Sequence, residues 1–316
     1  MPALKLGINL WSQAVDWPEM LDTARRVDRL GYDSVWTWDH LYAIIGDPHQ
    51  PIFEGWGLVH AWAMATERVR LGLMVGANTF RNPGLVAKQA VTLDHVSGGR
   101  AFLGIGGAWM EKEHVAHGID FGTGFGQRLD WLDESVAAIR DLLDGKTVTS
   151  PAGGHYHFRE LRHAPPPVQA HLPILIGGTG RKKTLRTIAK YADAWNGSGT
   201  VEEAAELDGV LRAHCADVGR DEREIERTIN LWLVIRDSEA EARRAWEAAA
   251  IHNRTPVEEM TEPSRPVLGP VEHVAGRLRA YRDVGFATAI VEVPAPYDVE
   301  TIERLIGEVK PLVDAG

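Results

Sequence analysis

The sequence predicts an α/β fold, a (β/α)8 TIM barrel with insertions, and three observations support this prediction. Short apolar runs alternate with amphipathic helical stretches along the chain. The alternation gives eight units of one strand and one helix. The 316 residues, of which 44% are hydrophobic, suffice for a large core, and apolar residues recur without a break. We therefore expect residues 1–316 to form one barrel domain.

The first strand and helix show the pattern most clearly. Leu4 to Leu10 is a β-type run, and Pro18 opens a helix that ends at Gly31. Apolar residues of this helix share one face, at Leu21, Ala24, Val27 and Leu30. The later strand candidates are Ser34 to Trp38, Val69 to Val75, Ala101 to Ile105, Pro173 to Ile176, Ala194 to Asn196, Ile229 to Ile235 and Thr288 to Val293. Apolar stripes within 129–143 and 271–281 predict two of the intervening helices.

Three connections are longer than a barrel needs, and long segments on such a scaffold are often functional. They cover residues 108–127, 145–172 and 251–270. The second contains a predicted hairpin, Val148 to Phe158, with its turn at residues 152–154. The third is rich in proline and is expected to form a mobile lid.

Composition and charge exclude several classes of function. The net charge of −10 argues against nucleic acid as a partner. No secretory signal is found at the amino terminus, and no apolar run reaches the roughly 20 residues that span a bilayer, so we expect a cytoplasmic protein without membrane contact. The single Cys215 is expected to be a packed thiol.

The active site of such a barrel lies at the carboxyl ends of its strands, where this sequence places glycine and tryptophan. Glycine lets backbone amides approach a ligand closely, and tryptophan offers a flat wall for a planar ring. A broad, planar ligand would fit there, although these tryptophans could equally cover the barrel end. The tryptophans are Trp11, Trp38, Trp109 and Trp195, and the glycine segments are Gly76-Ala77-Asn78, Gly106-Gly107 and Gly177-Gly178-Thr179-Gly180.

The last glycine segment is followed by Arg181-Lys182-Lys183 at the start of a predicted helix. Positive side chains oppose the helix dipole at this end, so three in a row indicate a bound anion held by free amides. A solvated basic cluster is the alternative. The segment is not a G-x-G-x-x-G motif and does not support a Rossmann fold.

The adjacent acid and imidazole of Asp39 and His40, directly after the second strand, suit proton transfer, although a structural histidine is the alternative. No metal site is expected, because His155-x-His157 lies in the hairpin without partner ligands. The serines lack a nucleophile-elbow pattern. With neither a protein nucleophile nor a metal, a bound cofactor is the natural agent of the chemistry.

Four blocks of sequence, in order over nearly the whole chain, resemble the luciferase-like monooxygenase superfamily, in particular its branch of oxidoreductases that use the deazaflavin coenzyme F420. They are residues 30–40 (LGYDSVWTWDH), 92–100 (TLDHVSGGR), 103–109 (LGIGGAW), and 176–180 (IGGTG) together with 191–196 (YADAWN).

The resemblance implies a luciferase-like barrel with the cofactor ring across the strand ends and its phosphate near Gly178 to Arg181. Asp39 and His40 would contact the cofactor and supply the acid and base. A backbone bulge at Gly76, Ala77 and Asn78 would support the ring, and Gly106, Gly107, Trp109, Glu111, Gly177, Thr179 and Gly180 would line the cofactor. One departure is Met110, where many relatives carry Asn.

The hypothesis that follows is an oxidoreductase that passes hydride between F420 and a small organic substrate, with His40 exchanging the proton and Asp39 holding His40. One alternative is an FMN-dependent monooxygenase that inserts oxygen from O2. Another is a flavin-binding barrel without turnover. A homodimer is the expected assembly, because it is the commonest one among soluble proteins.

Overall fold

The computed structural model describes residues 3–315, where ten strands form one parallel sheet. The strands are β1 (Lys5–Leu10), β2 (Ser34–Thr37), β3 (Arg70–Leu73), β4 (Gly76–Ala77), β5 (Leu103–Gly106), β6 (Ile174–Gly177), β7 (Ala194–Gly197), β8 (Glu226–Ile235), β9 (Val267–Gly269) and β10 (Thr288–Val293). Their order in the sheet is β3-β2-β1-β10-β8-β7-β6-β5-β4, with β9 added to the far end of β8.

The sheet closes into a barrel between β3 and β5. Leu71 forms a parallel bridge with Ala101, and β4 pairs with β5. Strands β3 and β4 are two parts of one strand of the barrel, interrupted at Met74–Val75, whose peptide bond is cis. With β3 and β4 counted as one strand and β9 left out, the barrel has eight strands, at the eight positions predicted. The predicted (β/α)8 barrel is confirmed.

In the described part of the chain twelve α-helices surround the barrel, and their ends follow from local sequence. Helix α1 begins after Asp16, whose carboxylate accepts a hydrogen bond from the backbone N–H of Glu19, and it ends at Gly31, which has φ of +89°. The helices are α1 (Trp17–Leu30), α2 (Gly55–Ala65), α3 (Pro83–Ser97), α4 (Glu111–His117), α5 (Phe125–Leu143), α6 (Thr184–Tyr191), α7 (Val201–Val218), α8 (Glu239–His252), α9 (Val257–Ser264), α10 (Val271–Asp283), α11 (Val299–Arg304) and α12 (Lys310–Ala315). Within residues 3–315 none of them is long and apolar enough to cross a membrane.

The three long connections carry structure of their own. The first contains α4, and the third contains α9 and β9. The predicted hairpin in the second is present, and it extends to Leu161, which exchanges antiparallel hydrogen bonds with Val148. Its His155 stacks on Trp131 of α5 at 3.9 Å between ring centroids. The mobility of the third connection stays a prediction.

The interior of the barrel changes from apolar to polar along its axis. Its lower part is filled by one apolar cluster of side chains, Trp36, Met74, Leu175, Ala194 and Ile290. Asn196 and Glu292 lie two residues beyond Ala194 and Ile290 on β7 and β10, and β1 and β8 add Asn9 and Asn230. We call these four side chains the polar layer. It forms the floor beneath the barrel mouth, where an active site is expected.

Candidate active site

His40 and Glu113 form a hydrogen-bonded pair that has the character of an acid/base site. His40 Nδ1 lies 2.9 Å from Glu113 Oε1, and the carboxylate also accepts the backbone N–H of Leu41 at 2.8 Å. Burial alone would raise the pKa of Glu113, but the hydrogen bond from His40, its charge and the backbone N–H groups lower it overall. Within residues 3–315, His40 Nε2 has no hydrogen-bond partner, and its side chain is 13% exposed, so Nε2 is free to meet a ligand.

The prediction that Asp39 holds His40 is wrong. Asp39 is buried and pairs through both oxygens with Arg81, at 2.7 and 3.0 Å. It also accepts the backbone N–H of Ala77 at 2.9 Å. Side chains of consecutive residues in an extended segment point to opposite sides, so Asp39 and His40 cannot share one partner easily. Asp39 therefore fixes the segment after β3, whereas the residue that orients His40 is Glu113.

Sequence reasoning missed Glu113 because nothing local distinguishes it. It lies two positions after Glu111, the residue that was predicted to contact the cofactor, and both belong to the first turn of α4. Glu111 is exposed, whereas Glu113 is buried. Met110 precedes the helix and makes no capping hydrogen bond with its side chain. Only the direction in which α4 packs against the loop after β2 brings Glu113 to His40.

Two of the glycines at the strand ends make room for Val75. A Cβ added to Gly106 would lie 2.7 Å from Val75 Cγ2, and one added to Gly177 would lie 3.0 Å from Val75 Cγ1. A Cβ added to Gly107 would likewise lie 2.9 Å from Leu129 Cδ2. Packing of the protein itself therefore requires glycine here, a reason different from the close approach of a ligand that the sequence suggested.

The bulge expected at Gly76-Ala77-Asn78 begins two residues earlier, at Met74–Val75. Gly76 and Ala77 resume pairing with β5, and Asn78 is buried. The Asn78 side chain donates to the hydroxyl of Tyr156 in the hairpin, at 3.0 Å. The segment is thus held on one side by Asp39 and on the other by the hairpin.

The loop at residues 177–183 presents free backbone donors. Gly178, with φ of +132°, uses its N–H for Asn196, but those of Thr179, Gly180 and Arg181 have no hydrogen-bond partner within residues 3–315. Two of the three basic side chains have acidic neighbours, since Arg181 lies 3.0 Å from Glu206 and Lys183 lies 2.6 Å from Asp130. These two pairs weaken the argument that unpaired cations require an anion. The three free N–H groups remain as an anion-binding feature.

The four tryptophans of the strand ends have three different environments. Trp195 is fully buried and donates to the backbone oxygen of Gly178, so it belongs to the core. Trp11 and Trp38 are also buried and lie 4.5 Å apart. Trp109 is 60% exposed, with its ring 5.5 Å from that of His40. Trp109 is therefore the tryptophan available as a wall beside His40.

Glu292 is the main feature of the floor, and sequence reasoning did not identify it. Its Oε1 accepts hydrogen bonds from Asn9 at 2.8 Å and Asn230 at 2.9 Å, and its Oε2 accepts the Trp11 indole N–H at 2.6 Å. None of these donors is a cation. Burial raises the pKa of Glu292 to about 7, although the hydrogen bonds act in the opposite direction. The detectable signal was a lone acidic residue within the apolar run of β10.

A cleft of about 630 Å³ opens beside this floor, on the side of β6, β7 and β8. Thr179 and Arg181 line it from the loop after β6, and Asn230 and Trp232 line it from β8. The third connection closes its outer side with residues 262–267. The cleft is large enough for a small organic molecule.

A family model described as luciferase-like monooxygenase matches residues 6–266. An F420-dependent glucose-6-phosphate dehydrogenase of Kineococcus radiotolerans is 28% identical over 335 aligned positions, which cover 98% of this chain and 97% of that protein. An F420-dependent hydroxymycolic acid dehydrogenase of Mycobacterium tuberculosis is 26% identical over 80% of this chain and 70% of that protein. An uncharacterised protein of Mycobacterium bovis is 31% identical over 175 residues, and the match spans 60% of its length and 55% of this chain.

Solved structures show the same fold. An F420-dependent secondary alcohol dehydrogenase, solved with an F420-acetone adduct, superposes with a TM-score of 0.85 at 18% identity and covers 99% of both chains. A monooxygenase from Streptomyces bottropensis superposes with a TM-score of 0.81 at 21% identity, over 98% of this chain and 99% of its own.

Proposed function

The chain belongs to the luciferase-like monooxygenase family, and on that premise we propose that it transfers hydride between coenzyme F420 and a small organic alcohol or its carbonyl product. The observation that carries the proposal is the His40–Glu113 pair, which leaves Nε2 of His40 free and whose imidazole ring lies 5.5 Å from the exposed ring of Trp109. Relatives along most of the chain have names that denote F420-dependent dehydrogenases of hydroxylated compounds, which supports an alcohol as the substrate.

The residues of the mouth fit a deazaflavin cofactor in two respects. The free N–H groups of Thr179, Gly180 and Arg181 suit a phosphate, and the exposed face of Trp109 suits a planar ring. We propose that these residues hold it, together with the segment from Gly76 to Asn78 that Asp39 fixes from behind. When bound, such a cofactor supplies a two-electron carrier that takes up or gives hydride.

His40 acts as the general base that accepts the proton. Nδ1 of His40 donates to Glu113, which leaves Nε2 to accept the proton that the substrate hydroxyl loses as its carbon gives up hydride. The C–O bond becomes a carbonyl, so the alcohol loses one hydride and one proton in all. The carboxylate of Glu113 stabilises the imidazolium that forms and fixes the orientation of the ring.

Cofactor binding tests the proposal directly. The purified protein is titrated with F420 and, separately, with FMN, and binding is followed by the fluorescence of each cofactor. We expect F420 to bind and to be reduced when a secondary alcohol is added. Tight binding of FMN with no affinity for F420 would instead favour the oxygen-dependent monooxygenase reaction, and binding of either cofactor without any turnover would favour a binding protein.

A further inference from the structure

Strand β8 carries two buried polar atoms, on residues that line the cleft, for which residues 3–315 supply no partner. Asn230 and Trp232 are two residues apart on one strand, so their side chains lie on the same face, and both line the cleft. Asn230 Oδ1 and Trp232 Nε1 are buried and have no hydrogen-bond partner within residues 3–315. A buried polar group without a partner is unfavourable, so two of them on residues that line one cleft favour a ligand with matching polar atoms.

Glu292 determines which atom of Asn230 is free. The amide nitrogen of Asn230 donates to Glu292 Oε1 at 2.9 Å, and Asn9 donates to the same oxygen. A flipped amide would bring Asn230 Oδ1 against this oxygen, which accepts hydrogen bonds when the carboxyl group is ionised. Glu292 thereby fixes the amide with its oxygen free, so two residues that line the cleft offer one buried acceptor, from Asn230, and one buried donor, from Trp232.

A hydroxyl group matches this pair, because it both donates and accepts a hydrogen bond. The pair is not placed to hold the reacting hydroxyl. His40 follows β2, and β8 is separated from β2 by β1 and β10, so His40 and this pair reach the mouth from different strands. Trp232 packs against the cluster that contains Trp11 and Trp38, so the two places are parts of one mouth, at different positions in it.

We propose that Asn230 and Trp232 bind a second, non-reacting hydroxyl group of the substrate, and that the protein therefore prefers a diol or polyol to a simple alcohol. The proposal rests on the proposed function for the identity of the reaction. Glu292 is a positioning residue in this arrangement, since it acts through the Asn230 amide. The substrate hydroxyl donates a hydrogen bond to Asn230 Oδ1, and its oxygen accepts one from the indole N–H of Trp232.

The test compares hexane-1,5-diol with hexan-2-ol, which share the secondary alcohol and differ in the distal hydroxyl. We expect the wild-type protein to show a KM for the diol about tenfold lower, with similar kcat, the effect of one to two hydrogen bonds. Trp232→Phe keeps the aromatic ring and removes the N–H, and it is expected to reduce the preference to about threefold or less. Trp246→Phe is the matched control, because the Trp246 N–H donates to Thr261 within the protein, at 2.8 Å.

Calorimetric binding of the two alcohols to the protein without cofactor gives a second readout that does not depend on turnover. If F420 is not reduced but the diol still binds about tenfold more tightly, the proposed function fails and the hydroxyl site stands. Equal binding of the two alcohols, no binding of either, or a preference that survives Trp232→Phe would overturn the hydroxyl site. Loss of the preference in Trp246→Phe as well would also overturn it.

Discussion

Replacement of Glu292 by glutamine should make the protein more stable above neutral pH. The carboxyl group lies in the polar layer and accepts hydrogen bonds from Asn9, Trp11 and Asn230, none of which is a cation, so its ionised form is held only by neutral groups. Glutamine has the same shape. Its oxygen can accept the Trp11 N–H, and its NH2 group can donate to Asn9 and Asn230 once their amides flip, because Oδ1 of each is unpartnered within residues 3–315.

The magnitude follows from the pKa of Glu292. Burial raises it from 4.5 to about 7, and at about 1.4 kcal/mol per pKa unit the ionised carboxylate costs the folded state about 3 kcal/mol. Because the folded protein binds this proton more tightly than the unfolded chain does, protonated Glu292 contributes to the free energy of unfolding, and this contribution is fully present below pH 4.5. The contribution is lost as the pH rises through about 7.

The assay is urea unfolding at pH 5 and pH 8.5, followed by tryptophan fluorescence and circular dichroism. At each pH the free energy of unfolding of the wild type is subtracted from that of Glu292→Gln. This difference should rise by about 2–3 kcal/mol, in favour of the variant, from pH 5 to pH 8.5. Groups that titrate in both proteins cancel in this comparison. Glu258→Gln, at an exposed position, is the matched control and should show no such gain.

A difference between Glu292→Gln and the wild type that stays constant from pH 5 to pH 8.5 would refute the reasoning. It would mean that the carboxyl group has its ordinary pKa despite its burial. A variant that loses stability at both pH values would show that the three hydrogen bonds require a carboxylate.

Three further predictions concern His40, Glu113 and Gly106. His40→Ala should leave F420 binding intact and slow turnover by about 10²-fold or more, as measured by cofactor reduction; unchanged turnover would remove His40 from the mechanism. Glu113→Gln should slow turnover by about tenfold without weakening F420 binding. The same variant should be less sensitive to acid. Because the pKa of Glu113 is lowered in the folded state, the contribution of Glu113 to stability is present above pH 4.5 and is lost as the pH falls through the folded pKa. The wild type and the variant should therefore converge in stability at low pH. Gly106→Ala should destabilise the protein by about 1–3 kcal/mol, because its Cβ would lie 2.7 Å from Val75, and Val75→Ala should restore part of the loss. Gly276→Ala, in α10 and with its nearest atom 4.0 Å away, is the control and should not destabilise; equal losses at both positions would contradict the role given to Val75.

Several residues of the site could be predicted because each of them directly follows a strand in the chain. Each βα unit ends a strand at the same edge of the barrel, so residues that follow strands, such as His40, Trp109 and Thr179, reach one mouth. The roles within that mouth could not be predicted in the same way. Asp39 was expected to hold His40, but it pairs with Arg81, and the partner of His40 comes from α4, 73 residues later.

The sequence by itself determined the eight strand positions of the barrel, the ends of the first helix and the edge at which the site lies. These depend on hydrophobic period, caps and turns, which act over a few residues. Only the tertiary structure decided that Gly106 and Gly177 accommodate Val75, that Glu113 orients His40, and that Glu292 meets three donors from other segments. Such contacts join residues far apart in the chain, and they depend on how whole strands and helices pack, which no local pattern records.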